Sequence, residues 1–192
     1  MNHRFWLPTA ALLALTVLPM SASVITFSGL TGANGTPFPS PYSEAGYVVT
    51  ATAGQWVEGQ LFGNPTPSIF AGASIAPLTV SSLQITKAGG GTFTFSSVDL
   101  ASNGLTNYAI SGAGFSETGT VGPLQNFGTI LSNNTSLALT SLTITMNPQI
   151  GAASFNVDNI VLANNVVPEP MSAAIAAVGL GVLCLFRRRF RN

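Results

Sequence analysis

Reactive side chains are scarce in this 192-residue chain. It has one histidine, His3, and one cysteine, Cys184, and each lies near an end of the chain. Without histidine or cysteine, the long middle part cannot build a Ser-His-Asp triad, a cysteine nucleophile or a His/Cys zinc site. These absences exclude the common catalytic centres of hydrolases from the middle part.

Positive charge is equally rare away from the two ends. Five of the six Lys and Arg residues are Arg4, Arg187, Arg188, Arg189 and Arg191. The middle part keeps Lys87 as its one base, against five acids: Glu44, Glu58, Asp99, Glu117 and Asp158. One minus five is a net charge of about −4. A domain without a basic patch cannot neutralise phosphate groups, so we predict no nucleic-acid partner.

Two kinds of enzyme remain possible without histidine and cysteine. A carboxylate pair could serve a glycosidase, and a serine could use Lys87 as its base. No spacing selects a carboxylate pair, and Lys87 precedes a triple-glycine turn, where a solvated lysine is expected. We therefore predict that the protein is not an enzyme and keep the glycosidase as the distant alternative.

Residues 1–22 have the order of parts that is typical of a secretory signal peptide. A short basic start, Met1 to Arg4, precedes an apolar run at 5–18, and small residues follow that run. This order predicts export, with cleavage after Ala22 or Ser23. A membrane helix that is retained is the alternative.

The exported domain, residues 23–164, alternates apolar and polar side chains and has no helical stripe. Gly and Pro dominate residues 54–77, which predicts a loop that folds back onto the core through Phe62, Ile69 and Phe70. Elsewhere the alternation predicts strands in these runs: 24–27, 46–53, 78–85, 92–100, 108–110, 118–121, 127–131, 137–146 and 155–162. About eight to ten short strands with Gly/Pro turns predict an all-β sandwich of the jelly-roll type.

Asp158 is the most informative polar residue of the last predicted strand. Alternation places it on the face of Ile160, opposite Val157. A carboxylate set among apolar residues needs a partner. One alternative is a structural Ca²⁺ held by Asp158, loop carbonyls and Glu44; the other is a carboxylate that accepts backbone N–H bonds and fixes the strand. Asp99, in an earlier strand, is expected to cap the turn that follows it.

Aromatic side chains supply the candidate sugar contacts. Trp56 is the one tryptophan of the exported domain and lies in a Gly-rich segment. Flat rings stack on sugar faces, so Trp56 and Tyr108, together with Tyr42, Tyr47 and Phe62, are candidates to line a glycan site. Packing in the core is the alternative for each of them.

Residues 165–192 form a tail of three parts. The tripeptide Pro168-Glu169-Pro170 comes first, and an uncharged apolar run follows at 171–186. The third part, 187–192, holds the arginines Arg187, Arg188, Arg189 and Arg191. As a helix the run would be about 24 Å long, short for a bilayer core of about 30 Å, but arginines can extend its reach. We predict a single transmembrane helix with a cytoplasmic arginine end; a buried helix is the alternative.

These three parts, in this order, resemble the PEP-CTERM sorting signal of Gram-negative bacteria. The resemblance implies a partner, exosortase, a membrane-embedded cysteine protease-transpeptidase that cuts near Pro168–Pro170. It also implies a location: anchoring in the inner membrane, then sorting to the cell surface or the extracellular matrix.

Three stretches of the exported domain, 42–50, 93–101 and 155–162, resemble motifs of exported PEP-CTERM domains. That resemblance implies a fold like the jelly rolls of carbohydrate-binding modules and galactose-binding-like domains. The chain departs from the pattern at 25–28, where Ile-Thr-Phe-Ser replaces the acidic opening of many members and removes a carboxylate.

We predict a non-catalytic protein of the cell envelope or of the extracellular polysaccharide (biofilm) matrix that exosortase processes. The alternative is a carbohydrate-binding module of the jelly-roll type, for which polysaccharide is the partner. No cofactor is predicted apart from the structural Ca²⁺.

Overall fold

The computed structural model describes residues 21–72, 79–149 and 154–164. Within those ranges it contains twelve β-strands and no α-helix. The strands are β1 (Ala22–Ile25), β2 (Tyr42–Glu44), β3 (Tyr47–Ala53), β4 (Val57–Gly59), β5 (Ser68–Gly72), β6 (Ser81–Lys87), β7 (Phe93–Ser102), β8 (Thr106–Gly112), β9 (Phe115–Val121), β10 (Gly128–Leu131), β11 (Ser141–Pro148) and β12 (Ser154–Asn164).

The predicted membrane-related segments lie outside the described residues. These are the signal peptide up to residue 20, the Pro168-Glu169-Pro170 motif, the run at 171–186 and the arginine end. In the ranges that are described, no helix has the length and apolar character needed to cross a membrane. The sorting predictions therefore stay predictions.

The strands form two six-stranded antiparallel sheets. Sheet A has the order β10-β7-β12-β5-β4, with β1 paired to β12, and sheet B has the order β2-β3-β6-β11-β8-β9. Strands β5 to β12 pair in a nested way, β5 with β12, β6 with β11, β7 with β10 and β8 with β9. Nested pairing across two sheets is the arrangement of a jelly roll, so the predicted all-β sandwich is confirmed.

Alternation explains why these segments form half-buried strands. On β11, Leu142, Ile144 and Met146 are fully buried, while Thr143 and Thr145 between them face outward. Aromatic rings join the two sheets across the core, as where Tyr47 meets Phe93 edge-on at 5.4 Å between ring centroids. Burial of one large apolar side chain contributes about 1.5–3 kcal/mol, which makes this interior the main source of stability.

The chain enters and leaves the sandwich at one end, here called the terminal end. Ala22 pairs with Ala163, and the Tyr47 hydroxyl donates to Asn164 Oδ1 at 3.2 Å. Ala22 and Ser23 are strand residues, so cleavage after either of them would shorten β1 by one or two residues. All twelve strands lie within residues 22–164, and this segment therefore contains the whole described core and is expected to fold by itself.

The segment 54–77 departs from its prediction as a loop, because β4 and β5 lie within it. Ser68, Ile69, Ala71 and Gly72 of β5 are all buried, so both faces of this strand are covered. A strand covered on both faces loses the alternation by which strands are recognised.

A bulge in β12 overturns the predicted faces of that strand. The pairing with β7 shifts register between Asp158 and Val161, and Asn159 has a left-handed φ of 44°. Ile160 therefore points into the core like Val157, and Asp158 lies on the opposite face. The prediction that Asp158 and Ile160 share a face is wrong.

Candidate functional site

An open groove of about 520 Å³ lies across sheet B. Its lining side chains carry hydroxyls, amides and methyl groups: Asn107, Ala109, Thr118, Thr120, Thr145 and Asn147. Val80, just before β6, adds an apolar border, and no lining residue is charged. Of the residues that line the groove, sequence reasoning selected Tyr108 alone.

Strand register aligns the groove residues in two rows on the outer face of sheet B. Thr120 pairs with Asn107, which pairs with Asn147. Thr118 pairs with Ala109, which pairs with Thr145 in the second row. Adjacent strands lie about 4.8 Å apart, so the first row presents a polar group on each strand at that interval, and the second presents two threonines on either side of Ala109.

Hydrogen bonds within the face orient some of these groups. The Thr120 hydroxyl donates to Asn107 Oδ1 at 3.0 Å, and the Thr145 and Ser82 hydroxyls are 3.0 Å apart. The groove therefore combines donors and acceptors without charge, which is chemistry suited to an uncharged polar ligand.

The groove lies away from the terminal end of the sandwich. Tyr47, at the terminal end, pairs with Lys87 of β6, and Ser141 pairs with Thr86 beside it. Asn147 is near the other end of β11, so the first row of the groove is remote from the terminal end.

Tyr108 borders the groove from the side of the core. It shares the inward strand face with Thr106 and Ile110, and its ring packs against the core. Burial, followed by the charge of Glu117, raises the pKa of Tyr108 above its usual range. Gly119 on β9 makes room for this ring, because a Cβ there would overlap the Tyr108 hydroxyl.

Trp56 is a core residue and presents no face to a sugar. It is 4% exposed, and its ring meets Phe155 edge-on at 5.7 Å. Its Nε1–H donates to the Ala53 carbonyl at 3.1 Å. The predicted sugar contact at Trp56 is wrong, because the ring serves the core and the indole N–H is satisfied within the fold.

Glu44 ties the end of the first strand to β2. Its carboxylate accepts the Phe27 N–H at 2.8 Å, the Thr26 N–H at 3.1 Å and the Tyr42 hydroxyl at 3.0 Å. Burial, then Glu44, raises the pKa of Tyr42 to about 12, so this hydroxyl stays a donor. The Tyr42 hydroxyl is thus engaged in hydrogen bonds within the fold.

Asp158 is fully buried on the outer side of sheet A. Its Oδ2 accepts the Asn64 N–H at 2.7 Å, and its Oδ1 accepts the Asn159 N–H at 2.8 Å. The pKa of Asp158 is raised to about 6, chiefly by burial; the two N–H bonds lower it, and the charges of Asp99 and Glu44 add to the rise. The carboxylate thus makes the backbone bonds that sequence reasoning gave as the alternative to an ion.

The two carboxylates of the predicted calcium site belong to separate hydrogen-bond networks. Glu44 and Asp158 accept bonds from different partners. In the parts of the chain that the structure describes, no three His, Cys, Asp or Glu side chains are grouped to hold a metal. The Ca²⁺ stays a prediction without support from these contacts.

Asp99 belongs to the same cluster as Asp158. It accepts the Asn64 Nδ2–H at 3.0 Å, the Asn159 Nδ2–H at 2.9 Å and the Thr129 hydroxyl at 2.6 Å. Asp99 therefore does not cap the turn that follows β7. In that turn the Ser102 hydroxyl oxygen accepts the Gly104 N–H. Instead, the cluster pins the 60–67 loop over sheet A.

No protein-family model and no curated protein matches the chain. Among solved structures, a family 29 carbohydrate-binding module from Piromyces equi is similar, with a TM-score of 0.46 and 8% identity over 79% of this chain and 95% of that one. Another family 29 module has a TM-score of 0.43 and 12% identity over 76% and 89% of the two chains. A third, a variant in complex with mannohexaose, has a TM-score of 0.40 and 13% identity over 76% and 92%. These likenesses are distant, and the interpretation of the groove rests on its own side chains.

Proposed function

We propose that residues 23–164 form a non-catalytic carbohydrate-binding module that binds a polysaccharide chain in the groove of sheet B. The observation that carries the proposal is two in-register rows across an open groove of about 520 Å³. Thr120, Asn107 and Asn147 form one row, and Thr118 and Thr145 lie on either side of Ala109 in the other. A volume of this order is that of ordinary small-ligand sites.

Sugar hydroxyls are uncharged groups that both donate and accept hydrogen bonds. Asn107 and Asn147 offer amide groups that do both, and Thr118, Thr120 and Thr145 offer hydroxyls. Each such bond contributes about 0.5–1.5 kcal/mol, so several are needed together. Rows of groups across three strands suit a long ligand better than a single small molecule.

The proposed tail fits this function. If residues 165–192 act as a PEP-CTERM signal, exosortase is the partner that processes them, and the inner membrane holds the chain until then. The groove is far from the terminal end, from which the tail continues. Polysaccharide could therefore reach the groove while the chain is still anchored.

Glycan binding by purified residues 22–164 tests the proposal. We expect binding to a polysaccharide on a glycan array, weakened at least tenfold by the double substitution Asn107→Ala and Asn147→Ala. Gln84→Ala is the matched control, because Gln84 lies on the outer face of sheet B but not in the groove. A folded wild-type domain that binds no glycan would overturn the proposal.

A second candidate is a structural protein of the envelope or biofilm matrix that binds no sugar. The motif Pro168-Glu169-Pro170 with its apolar run and arginine end favours it. The two candidates share export and sorting, and they differ in the outcome of the glycan array.

A further inference from the structure

Two phenylalanines form a stacked pair outside the core. The rings of Phe62 and Phe127 lie 5.0 Å apart between centroids, at an interplanar angle of 18°. Both side chains are partly exposed. Phe62 belongs to the 60–67 loop, and Phe127 directly precedes β10.

The pair lies on the outer side of sheet A, away from the groove of sheet B. Thr129 is two residues from Phe127, and its hydroxyl bonds to Asp99 on that outer side. The loop that carries Phe62 covers Asp158 on the same side. The two surfaces thus belong to opposite sheets of the sandwich.

The loop under Phe62 is held at several points. Its Asn64 binds both Asp158 and Asp99, and the Phe62 carbonyl accepts the Ser68 hydroxyl at 2.6 Å. Asn156 in turn donates to that Ser68 hydroxyl oxygen at 2.9 Å. A ring held in place before binding loses little conformational freedom when a ligand arrives.

Polar groups border the rings. Asn64 and Thr129 are exposed, two residues from Phe62 and Phe127 in the chain. Their donors bond to Asp158 and Asp99, so each offers a ligand its side-chain oxygen as an acceptor. A standard protein interface buries about 800 Å² on each partner, which two half-buried rings do not offer even with the exposed side chains of Leu61 and Leu124 on the same segments. Aromatic faces with amide and hydroxyl neighbours match a sugar ring, which has apolar C–H faces and a polar edge.

We propose that Phe62 and Phe127, with Asn64 and Thr129, form a second sugar-contact site that takes one pyranose ring. The inference rests on the proposed function, since it assigns a further site for the same ligand class. With sites on opposite sheets, one domain bridges two polysaccharide chains, and it therefore cross-links a matrix rather than only adhering to it.

Binding and bridging by residues 22–164 are the two readouts of the test. The probes are soluble glucan, mannan and xylan, with affinity measured by calorimetry and bridging by light scattering of the polysaccharide. The variants are Phe127→Ala, Phe127→Leu, which keeps the apolar packing without the ring, and the groove variant Asn107→Ala/Asn147→Ala. Leu124→Ala is the control, because Leu124 is an exposed apolar residue three positions before Phe127 in the chain.

We expect wild type and Leu124→Ala to bind and to bridge. Both Phe127 variants should bind through the groove with bridging reduced at least tenfold, and the groove variant should keep weak binding without bridging. If Phe127→Leu bridges like the wild type, the second site is overturned, while the proposal of sugar binding in the groove still stands. Absence of binding by every folded form to every probe overturns both proposals.

Discussion

Asp99 and Asp158 are direct cross-strand partners on β7 and β12, with their carboxylates on the same face of sheet A. Like charges placed opposite each other on neighbouring strands are destabilising. Asn64 and Asn159 relieve this pair, because each donates one bond to Asp99 and one to Asp158. The two asparagines thereby attach the 60–67 loop to the sheet.

The stability of the domain is expected to depend on the ionisation of Asp158. Its pKa is about 6 in the fold against 3.8 for the free group, so the folded state binds the proton more tightly. Protonation of Asp158 therefore adds fully to the free energy of unfolding below about pH 4. This contribution, about 3 kcal/mol in all, is lost as the pH rises through about 6. Urea unfolding of residues 22–164 between pH 4 and pH 8 measures it. The contribution of Asp158 is the free energy of unfolding of the wild type minus that of Asp158→Asn. An increase in this difference between pH 4 and pH 6 would contradict this cause.

Loss of the Asn64 side chain should loosen the loop. Asn64→Ala removes a donor to Asp99 inside the cluster, and we expect the free energy of unfolding to fall by about 1–3 kcal/mol. Asn133→Ala is the control, because Asn133 is exposed and is not among the residues that bond to Asp99 or Asp158. Equal denaturation midpoints for the two variants would show that the bond adds no stability.

Gly119 should be intolerant of a side chain. In Gly119→Ala the new methyl group collides with the Tyr108 hydroxyl, and such overpacking costs about 1–3 kcal/mol. Gly128→Ala is a matched control on another edge strand, since a Cβ there meets no atom within 4 Å. Thermal unfolding compares them; a Gly119→Ala domain as stable as the control refutes the packing argument.

The tail is expected to be removed in cells that contain an exosortase. Mass spectrometry of the mature protein should then find a C-terminus near Pro168–Pro170, and Glu169→Ala should retain the tail. An exosortase deletion strain is the control. Mature wild-type protein that still ends at Asn192 in the presence of exosortase would count against sorting.

The sequence predicts the half-buried strands well because one face of each lies in the core. In the predicted strand 46–53, for example, Tyr47, Val49 and Ala51 alternate with polar or half-exposed residues, and the structure packs all three against the core. β5 escapes prediction because it is covered on both faces. The faces of β12 are also predicted wrongly, because the strand has a bulge at Asn159. The left-handed backbone of Asn159 is not visible in the alternation of the sequence.

The candidate site was less accessible to sequence reasoning. Trp56 was a candidate because it is aromatic and lies in a Gly-rich segment. The sequence does not show that this segment packs on the core and buries the ring. Asn107 and Thr145 look like ordinary outward residues of two strands, and only the register of β8 and β11 brings them to one groove. Alternate Thr and Asn residues in three neighbouring strands are the pattern that could have indicated it.

The central claim is that sugar binds the outer face of sheet B, and an NMR titration of ¹⁵N-labelled residues 22–164 tests it most directly. With a soluble glucan, mannan or xylan that the domain binds, we predict amide shift changes centred on 107–109, 118–120 and 145–147. The Asn107→Ala/Asn147→Ala variant should lose them. Binding that leaves these amides unchanged, or no shift with any polysaccharide, would contradict the account.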